Sequence, residues 1–252
     1  MNSTPSSLSQ LQHNHIDLWS VSVEQFTDSK QEQANMLLTA QEQIKIASYK
    51  NNNAKKTALI SRALCRLVLS QYIDCPPQAH QFIRNKHGKP SLANNSKQLT
   101  FNISHNDKLV VIAVCVNDQI GCDIESPERR VSIEPITRRY FSEQEHSMLM
   151  AKHGESQKQA FFKIWTLKEA FVKATGIGIS LGLDSFYFLN EESPPQQASQ
   201  DIKVVFNAHY PLDTEQAWFC YHDRLDSQAL SLCRASDSKQ QINYLEASHL
   251  FQ

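Results

Sequence analysis

The chain has 252 residues, of which 40% are hydrophobic and 20% are charged, and its formal net charge at pH 7 is −1. This length and composition indicate a globular protein with one large or two small domains. A nearly neutral chain has no general basic field that would attract nucleic acid or anionic lipid, so we expect neither as a partner. The longest apolar run, residues 109–116, is far shorter than the roughly 18 residues needed to cross a bilayer, and we expect no membrane association.

The start of the chain and its cysteines indicate a cytoplasmic protein. Residues 1–15 are rich in Ser, Gln and Asn and have neither a basic start nor an apolar stretch. This composition predicts a disordered tail rather than a signal peptide. The six cysteines are scattered without a C-x-x-C pair and mostly lie among apolar residues. Buried free thiols in a reducing cytoplasm are the simplest interpretation.

The first half of the chain predicts a strand, a long helix and then three strands. Residues 16–23 alternate as a strand does, and residues 56–72 carry apolar residues at helical spacing until two prolines follow. A basic turn at residues 85–90 comes next. Residues 99–125 are the most strand-like region, and two turn-forming sites divide them into an antiparallel three-stranded meander.

The second half repeats this order, with helices before strands. Ser142-x-x-Glu145 is a capping box that opens one helix, and a second helix contains residues 165–173 and stops at two glycines. Strands are predicted at residues 185–189, 203–208, 217–222 and 230–233. The proline-containing residues 190–201 between the first two of these strands predict a mobile loop.

The order of elements predicts an α+β fold made of two subdomains related by a pseudo-twofold. Each subdomain would have helices packed on an antiparallel meander. After the tail at residues 1–15, we expect an N-terminal subdomain at 16–118 and a C-terminal subdomain at 119–252, with the active site between the two.

Residues 165–173 (WTLKEAFVK) place charged groups on a largely apolar helix. Glu169 and Lys173 are four residues apart and lie on one face, beside Trp165. If the helix is buried, each charge needs a partner, such as another side chain, a metal ion or a ligand phosphate. Taken alone, the pair also fits an ordinary i,i+4 ion pair on a solvated surface.

A second group of carboxylates lies on the third predicted strand. Alternation places Asp123 and Glu125 on one face, with their Cα atoms roughly 7 Å apart. Two carboxylates among apolar residues repel each other, and a hard divalent cation such as Mg²⁺ would offset that repulsion. Two further acidic pairs in the chain have simpler explanations, as a capping box and as an ordinary loop.

The chain contains four motifs in this order: residues 101–105 (FNISH), residues 121–125 (GCDIE), Phe141-Ser142-x-x-Glu145 and residues 165–173. In their order and spacing they resemble the motifs of the 4′-phosphopantetheinyl transferases of the surfactin-synthetase-activating type. The resemblance extends from about residue 16 to beyond residue 190 and includes the Gly88-Lys89-Pro90 turn. It implies a monomeric pseudodimer. It also implies transfer of the 4′-phosphopantetheine arm of coenzyme A to a serine of an apo acyl or peptidyl carrier protein, with release of adenosine 3′,5′-bisphosphate.

The resemblance also implies roles for individual residues. Asp123, Glu125 and Glu169 would hold Mg²⁺ against the diphosphate, and Glu169 or a water on the metal would accept the serine proton. Lys173 and Lys168 would neutralise phosphate charge. The residues implied in coenzyme A binding are Lys56, Thr57, Lys89, Ser104 and His105, of which Lys56 and His105 would lie near the 3′-phosphate. Phosphoryl-type transfer depends mostly on positioning and charge neutralisation, which these residue types supply.

Two other interpretations use the same residues. A Mg²⁺-dependent hydrolase of a nucleoside diphosphate compound would need the same carboxylates, with water as the acceptor. A carrier-binding protein without catalytic activity would have lost a metal-binding acid, and none is missing here. The chain departs from the family pattern at residues 43–50 (QIKIASYK), which are poor in basic residues where the family usually has an arginine-rich patch.

Overall fold

The structure is a computed structural model that describes residues 11–189 and 202–251. The first ten residues of the expected tail and the expected loop at 190–201 lie outside the described residues. Leu11 packs against the hydrophobic core and His15 begins the first strand, so the folded chain starts before residue 16. Within the described ranges, no helix has both the length and the hydrophobicity needed to cross a bilayer.

The described ranges contain both helices and strands. The α-helices are α1 (Asp28–Met36), α2 (Ala40–Ala47), α3 (Asn52–Leu69), α4 (Ile133–Tyr140), α5 (Glu143–Met150) and α6 (Gly154–Thr175). The strands are β1 (His15–Ser22), β2 (Phe82–Arg84), β3 (Pro90–Leu92), β4 (Leu99–His105), β5 (Leu109–Val116), β6 (Ile120–Glu125), β7 (Phe186–Leu189), β8 (Lys203–Phe206), β9 (Trp218–Leu225), β10 (Gln228–Ala235) and β11 (Gln241–Glu246). This is the α+β class predicted from the sequence, and its strand pairs are antiparallel except for β1 with β11.

The chain folds into two compact units. Unit 1 contains the chain up to Arg84, Pro90–Asn117 and the residues from Gln240 onwards, and unit 2 contains Asn85–Lys89 and Asp118–Lys239. The sequence predicts that residues 119–252 form one C-terminal subdomain. The structure differs at the end of the chain, because β11 pairs in parallel with β1 and therefore belongs to unit 1.

Unit 1 is built on a four-stranded sheet with the strand order β11-β1-β5-β4. Helix α3 packs on β5 and β4, and the apolar residues that predicted this helix, among them Ile60, Leu64 and Val68, are buried in the core of the unit. The side chain of Asn51 caps the start of α3 by accepting from the backbone N of Ala54 at 3.0 Å. A helix beginning at this point places residues 56 and 57 in its second turn.

The predicted three-stranded meander over residues 99–125 is wrong in one respect. Strands β4 and β5 form the expected antiparallel hairpin, but β6 does not pair with β5. Instead, β6 pairs with β10 in a three-stranded antiparallel sheet of unit 2, with the order β6-β10-β9. The second of the two predicted turn sites is at Asn117, whose left-handed backbone (φ 68°) lies where the chain leaves unit 1. Local turn chemistry therefore located each strand but not its partner.

In unit 2, helix α6 lies on β6 and β10. The helix ends at Gly176, whose left-handed backbone (φ 69°) closes its last turn as the sequence predicts. Gly121 allows the helix to approach β6 closely, because a Cβ atom there would overlap the backbone oxygen of Ala170 and lie 2.5 Å from the backbone N of Ala174. Side chains two and four residues further along the same face of β6 therefore project under α6.

Gly121→Ala should force α6 away from β6, because both atoms in the way belong to the helix backbone and cannot rotate aside. We expect the free energy of unfolding in urea to fall by at least about 3 kcal/mol. Gly178→Ala is the control, since a Cβ atom there meets nothing within 4 Å and the change carries only the left-handed backbone cost of about 1 kcal/mol. Equal losses in the two variants would contradict the close approach.

Candidate active site

The contact between α6 and β6 brings four of the predicted site residues together. Lys173 on α6 donates from Nζ to Asp123 Oδ1 on β6 at 2.6 Å and to the backbone oxygen of Cys122 at 3.3 Å. Burial lowers the pKa of Lys173, but the charge of Asp123, its hydrogen bond and the charge of Glu169 act together against burial, so the pKa is raised above its ordinary value. The ammonium group is therefore charged at neutral pH.

Glu125 and Glu169 lie close enough to Asp123 for its negative charge to raise the pKa of both carboxyl groups. Burial raises the pKa of Glu125, the charge of Asp123 raises it further, and Arg129 partly offsets both effects. Burial also raises the pKa of Glu169, and the charges of Asp123 and Glu125 add to that increase while Lys173 opposes it. Three carboxylates from two elements thus share one half-buried region in which they repel one another.

Two residues without a predicted role hold Glu125. The indole of Trp165 donates a hydrogen bond to its carboxylate, and the guanidinium of Arg129 lies 3.5 Å from it. The Trp165 ring stacks on Phe141 and Phe161, with ring centroids 6.3 and 6.0 Å apart. The sequence signal for this role is the Trp itself, because an indole on a half-buried helix usually finds a partner for its N–H group.

The donor set at this contact fits a hard divalent cation. Carboxylate oxygens are the ligands that Mg²⁺ prefers, and a cation would offset the repulsion that raises the pKa of Glu125 and of Glu169. Among the described residues, however, no group of three or more His, Cys, Asp or Glu side chains is already arranged to hold a metal ion. Asp123 Oδ1 already accepts from Lys173, so a cation bound by Asp123 would share this carboxylate with the ammonium group.

Lys168 lies in a different place from the phosphate site expected for it. Its side chain is completely buried, and its Nζ forms an ion pair with Glu145 Oε2 at 2.8 Å. The same Nζ donates to the backbone oxygens of Leu183 and Phe186, both at 2.7 Å. Burial lowers the pKa of Lys168, and Glu145 partly offsets this effect. These contacts join α5 and α6 to Leu183 and to the first residue of β7, and they favour a structural role over phosphate neutralisation.

Glu145 forms the predicted capping box with Ser142 at the start of α5. Its Oε2 accepts from the backbone N of Ser142 at 3.1 Å, and its own backbone N donates to Ser142 Oγ at 3.3 Å. Its Oε1 accepts from the backbone N of Phe188 at 3.3 Å. One buried carboxylate therefore caps α5, pairs with the lysine of α6 and binds the backbone of β7.

Lys89 lies at the C-terminal end of α6. Its Nζ donates to the backbone oxygens of Ile120 at 3.0 Å and Ala174 at 2.9 Å. The side chain of Asn85 donates to the backbone oxygen of Gly176 at 2.8 Å. A cation and an amide thus satisfy carbonyl groups that the end of a helix leaves exposed, and they join α6 to the start of β6.

The other residues expected to bind coenzyme A lie in unit 1. Lys56 is half-buried and Thr57 is buried, both in α3. Ser104 is buried near the end of β4, and His105 is exposed at its last position. The structure therefore brings together the expected metal ligands with Lys173 in unit 2 and carries four of the expected coenzyme A residues on unit 1.

Two family profiles match this chain. The profile described as the 4′-phosphopantetheinyl transferase superfamily matches residues 119–234, and the profile described as the N-terminal part of 4′-phosphopantetheinyl transferases matches residues 19–117. The chain belongs to the 4′-phosphopantetheinyl transferase superfamily. The superfamily profile spans all of β6 and α6, and so it includes the carboxylates and the lysine at their contact.

Several curated bacterial 4′-phosphopantetheinyl transferases are similar to this chain. The 4′-phosphopantetheinyl transferase gsp of Aneurinibacillus migulanus is 33% identical over 163 residues, which cover 65% of this chain and 66% of that protein. The 4′-phosphopantetheinyl transferase Sfp of Bacillus subtilis is 36% identical over 138 residues, 55% of this chain and 59% of that protein. The 4′-phosphopantetheinyl transferase HetI of a Nostoc species is 29% identical over 169 residues, 66% and 71% of the two chains. The aligned part of this chain spans less than two thirds of the Aneurinibacillus and Bacillus proteins.

Lys168→Met should lower the free energy of unfolding by about 3 to 5 kcal/mol, because it leaves the Glu145 carboxylate buried without its cationic partner. In the double variant Lys168→Met/Glu145→Gln, urea unfolding should show a smaller loss than the sum of the two single losses. Lys158→Met, half-exposed on the same helix, should change stability by less than about 0.5 kcal/mol. Strict additivity of the two buried changes would rule out the structural pair.

Proposed function

We propose that this protein transfers the 4′-phosphopantetheine arm of coenzyme A to a serine hydroxyl of an apo carrier protein and releases adenosine 3′,5′-bisphosphate. The observation that carries the proposal is the cluster of Asp123, Glu125, Glu169 and Lys173 at the contact of α6 and β6. Membership of the transferase superfamily supports the same reaction. Both observations fit a transferase of the surfactin-synthetase-activating type.

The chemistry of these side chains matches the steps of the transfer. The serine oxygen forms a bond to the phosphorus that carries pantetheine, and the bond from that phosphorus to the bridging oxygen breaks. Glu169 accepts the serine proton, because its carboxylate belongs to the same cluster as Asp123 and Lys173, where the serine hydroxyl has to approach the diphosphate. The Lys173 ammonium neutralises negative charge on the departing adenosine bisphosphate.

Asp123, Glu125 and Glu169 are the residues that would hold Mg²⁺, and a bound ion would neutralise the diphosphate charge. Trp165 and Arg129 would keep Glu125 oriented towards it. Lys168 is not part of this arrangement, because its Nζ is buried and bound to Glu145.

Coenzyme A binding is proposed for Lys56, Thr57, Lys89, Ser104 and His105. A cation and an imidazole are suited to the 3′-phosphate, and we assign Lys56 and His105 to it. The proposal includes a monomer in the cytoplasm, whose two subdomains are related by a pseudo-twofold with the active site between them.

The experiment that tests this function is incubation of the protein with coenzyme A, Mg²⁺ and a panel of apo carrier domains, followed by intact mass measurement. We expect at least one carrier to gain the mass of one phosphopantetheine while adenosine 3′,5′-bisphosphate appears in equal amount. A reaction without any carrier is run in parallel. Release of adenosine bisphosphate there at the same rate would identify a hydrolase and contradict the proposal.

Glu169→Gln keeps the side-chain shape and one ligating oxygen but removes the basic group. If Glu169 accepts the serine proton, kcat should fall by roughly 10² to 10⁴ and stay low when Mg²⁺ is raised to saturation. Glu155→Gln, an exposed change at the start of the same helix, should leave kcat unchanged. Recovery of kcat at saturating Mg²⁺ would show that Glu169 acts only as a metal ligand.

His105→Ala and Lys56→Ala should each weaken coenzyme A binding by about 1 to 3 kcal/mol, the usual loss for a charge-assisted hydrogen bond. Dephospho-coenzyme A, which lacks the 3′-phosphate, should bind these variants as well as it binds the unaltered protein. Lys30→Ala, a half-buried lysine on α1, is the control for loss of a positive charge. Equal losses for both compounds in calorimetric titrations would remove the 3′-phosphate assignment.

A further inference from the structure

A row of polar side chains crosses the sheet of unit 2 beneath α6. Ser231 on β10 lies directly opposite both Asp123 on β6 and His222 on β9. Residues directly opposite one another in antiparallel strands point to the same face of the sheet. That face is the one covered by α6, because Asp123 contacts Lys173 of this helix and Ser231 contacts its Thr166.

Thr166 joins this row through short hydrogen bonds. Its Oγ1 lies 2.7 Å from Ser231 Oγ and donates within its own helix towards the backbone oxygens of Phe162 at 2.9 Å and Lys163 at 3.1 Å. Ser231 Oγ lies 3.0 Å from His222 Nδ1. Thr166 and Ser231 are both completely buried, so these partners, rather than solvent, satisfy their hydroxyl groups.

Apart from Asp123, the side chains of this row carry no charge at pH 7. Burial lowers the pKa of His222 to about 3, and the nearby positive charge of Lys163 lowers it too, so the imidazole is neutral at pH 7. Each hydroxyl has one proton and the neutral imidazole has one N–H group, which is enough to link the three side chains. The arrangement is therefore held by directional hydrogen bonds between neutral groups.

We propose that Thr166, Ser231 and His222 position the catalytic turn of α6 against β6. The Gly121 approach sets how closely the helix lies against β6, and apolar contacts hold it on the sheet, but apolar contacts do not by themselves select one rotation of the helix because they are not directional. The Thr166–Ser231 hydrogen bond fixes a single rotation and register.

The catalytic groups follow from that register. Glu169 lies three residues after Thr166, and Lys173 lies four residues further, so both follow the same side of the helix. Ser231 is directly opposite Asp123, which places the hydroxyl pair and the Lys173–Asp123 ion pair on neighbouring strands. This inference rests on the proposed function, and the three residues of the row are positioning residues that do not touch the substrate.

The test uses variants that remove a hydroxyl with little change in volume. Thr166→Val and Ser231→Ala break the row, and Thr166→Ser keeps its hydroxyl. Two matched controls remove equally buried hydroxyls elsewhere in unit 2, Thr137→Val and Ser185→Ala. Thr137 Oγ1 lies 2.8 Å from His146 Nδ1, and Ser185 Oγ donates to the backbone oxygen of Gly182 at 2.6 Å.

The measurements are Mn²⁺ binding followed by electron paramagnetic resonance, with coenzyme A present, together with kcat and KM for carrier modification. Thr166→Val and Ser231→Ala should each weaken Mn²⁺ binding about tenfold or more and lower kcat. Losing a side chain that orients metal ligands without binding the metal typically has an effect of this size. Thr166→Ser should restore both values. The two control variants should bind Mn²⁺ as tightly as the unaltered protein does. This should hold even if their urea unfolding midpoints fall as much as those of Thr166→Val and Ser231→Ala.

Combining Thr166→Val with Ser231→Ala should give little further loss of Mn²⁺ affinity, because each change breaks the same link. If both buried variants unfold, His222→Asn at the less buried end of the row is the milder test and should also weaken Mn²⁺ binding. Mn²⁺ affinity and kcat equal to those of the controls would overturn the positioning role. Failure of the unaltered protein to modify any carrier would instead overturn the proposed function, and the Mn²⁺ comparison would still decide the role of the row.

Discussion

The close approach of α6 to β6 at Gly121 is the constraint on which the candidate site depends. With no side chain at this position, the helix backbone lies against the strand, and the next residues on the same face meet the helix directly. Asp123 reaches Lys173 there, and Glu125 reaches Trp165. The same packing that buries the core of unit 2 thus gathers carboxylates that repel each other. Groups with perturbed pKa values at one contact are typical of a functional site.

The two lysines of the WTLKEAFVK segment have different surroundings because of helical geometry. Lys173 is five positions after Lys168, which places the two about 140° apart around the helix axis. Lys173 faces β6 and its carboxylates, whereas Lys168 faces α5 and the segment before β7. Both are part of one motif, yet one ammonium lies at the proposed reaction site and the other joins three elements of the fold. Proximity in sequence is therefore a poor guide to shared chemistry.

Local features of the fold could be predicted from the sequence. The capping box at Ser142, the glycine end of α6 and the shared face of Asp123 and Glu125 all follow from short-range geometry, and the structure contains each of them. The partners of strands could not be predicted, since β6 joins β10 and β11 joins β1 across long stretches of chain. Which strands pair is decided by tertiary packing, and a short stretch of sequence carries no repeating pattern that identifies the partner strand.

The same limit applies to the candidate site. The residue types and spacing indicated carboxylates and a lysine for phosphate chemistry, and the structure brings these together. The buried partner of Lys168 and the hydrogen bond from Trp165 to Glu125 depend on which helix face is covered, and that is set by the rest of unit 2. Ser231 and His222 carried no sequence signal because they lie on strands β10 and β9, far along the chain from α6.

The central claim is that Asp123, Glu125 and Glu169 together hold a divalent cation beside Lys173. Anomalous diffraction from crystals soaked with Mn²⁺ and coenzyme A tests this claim most directly. We predict a peak with oxygen atoms of all three carboxylates within about 2.5 Å. A peak at other side chains, or no peak at saturating Mn²⁺ with Asp123 still bound to Lys173, would contradict it.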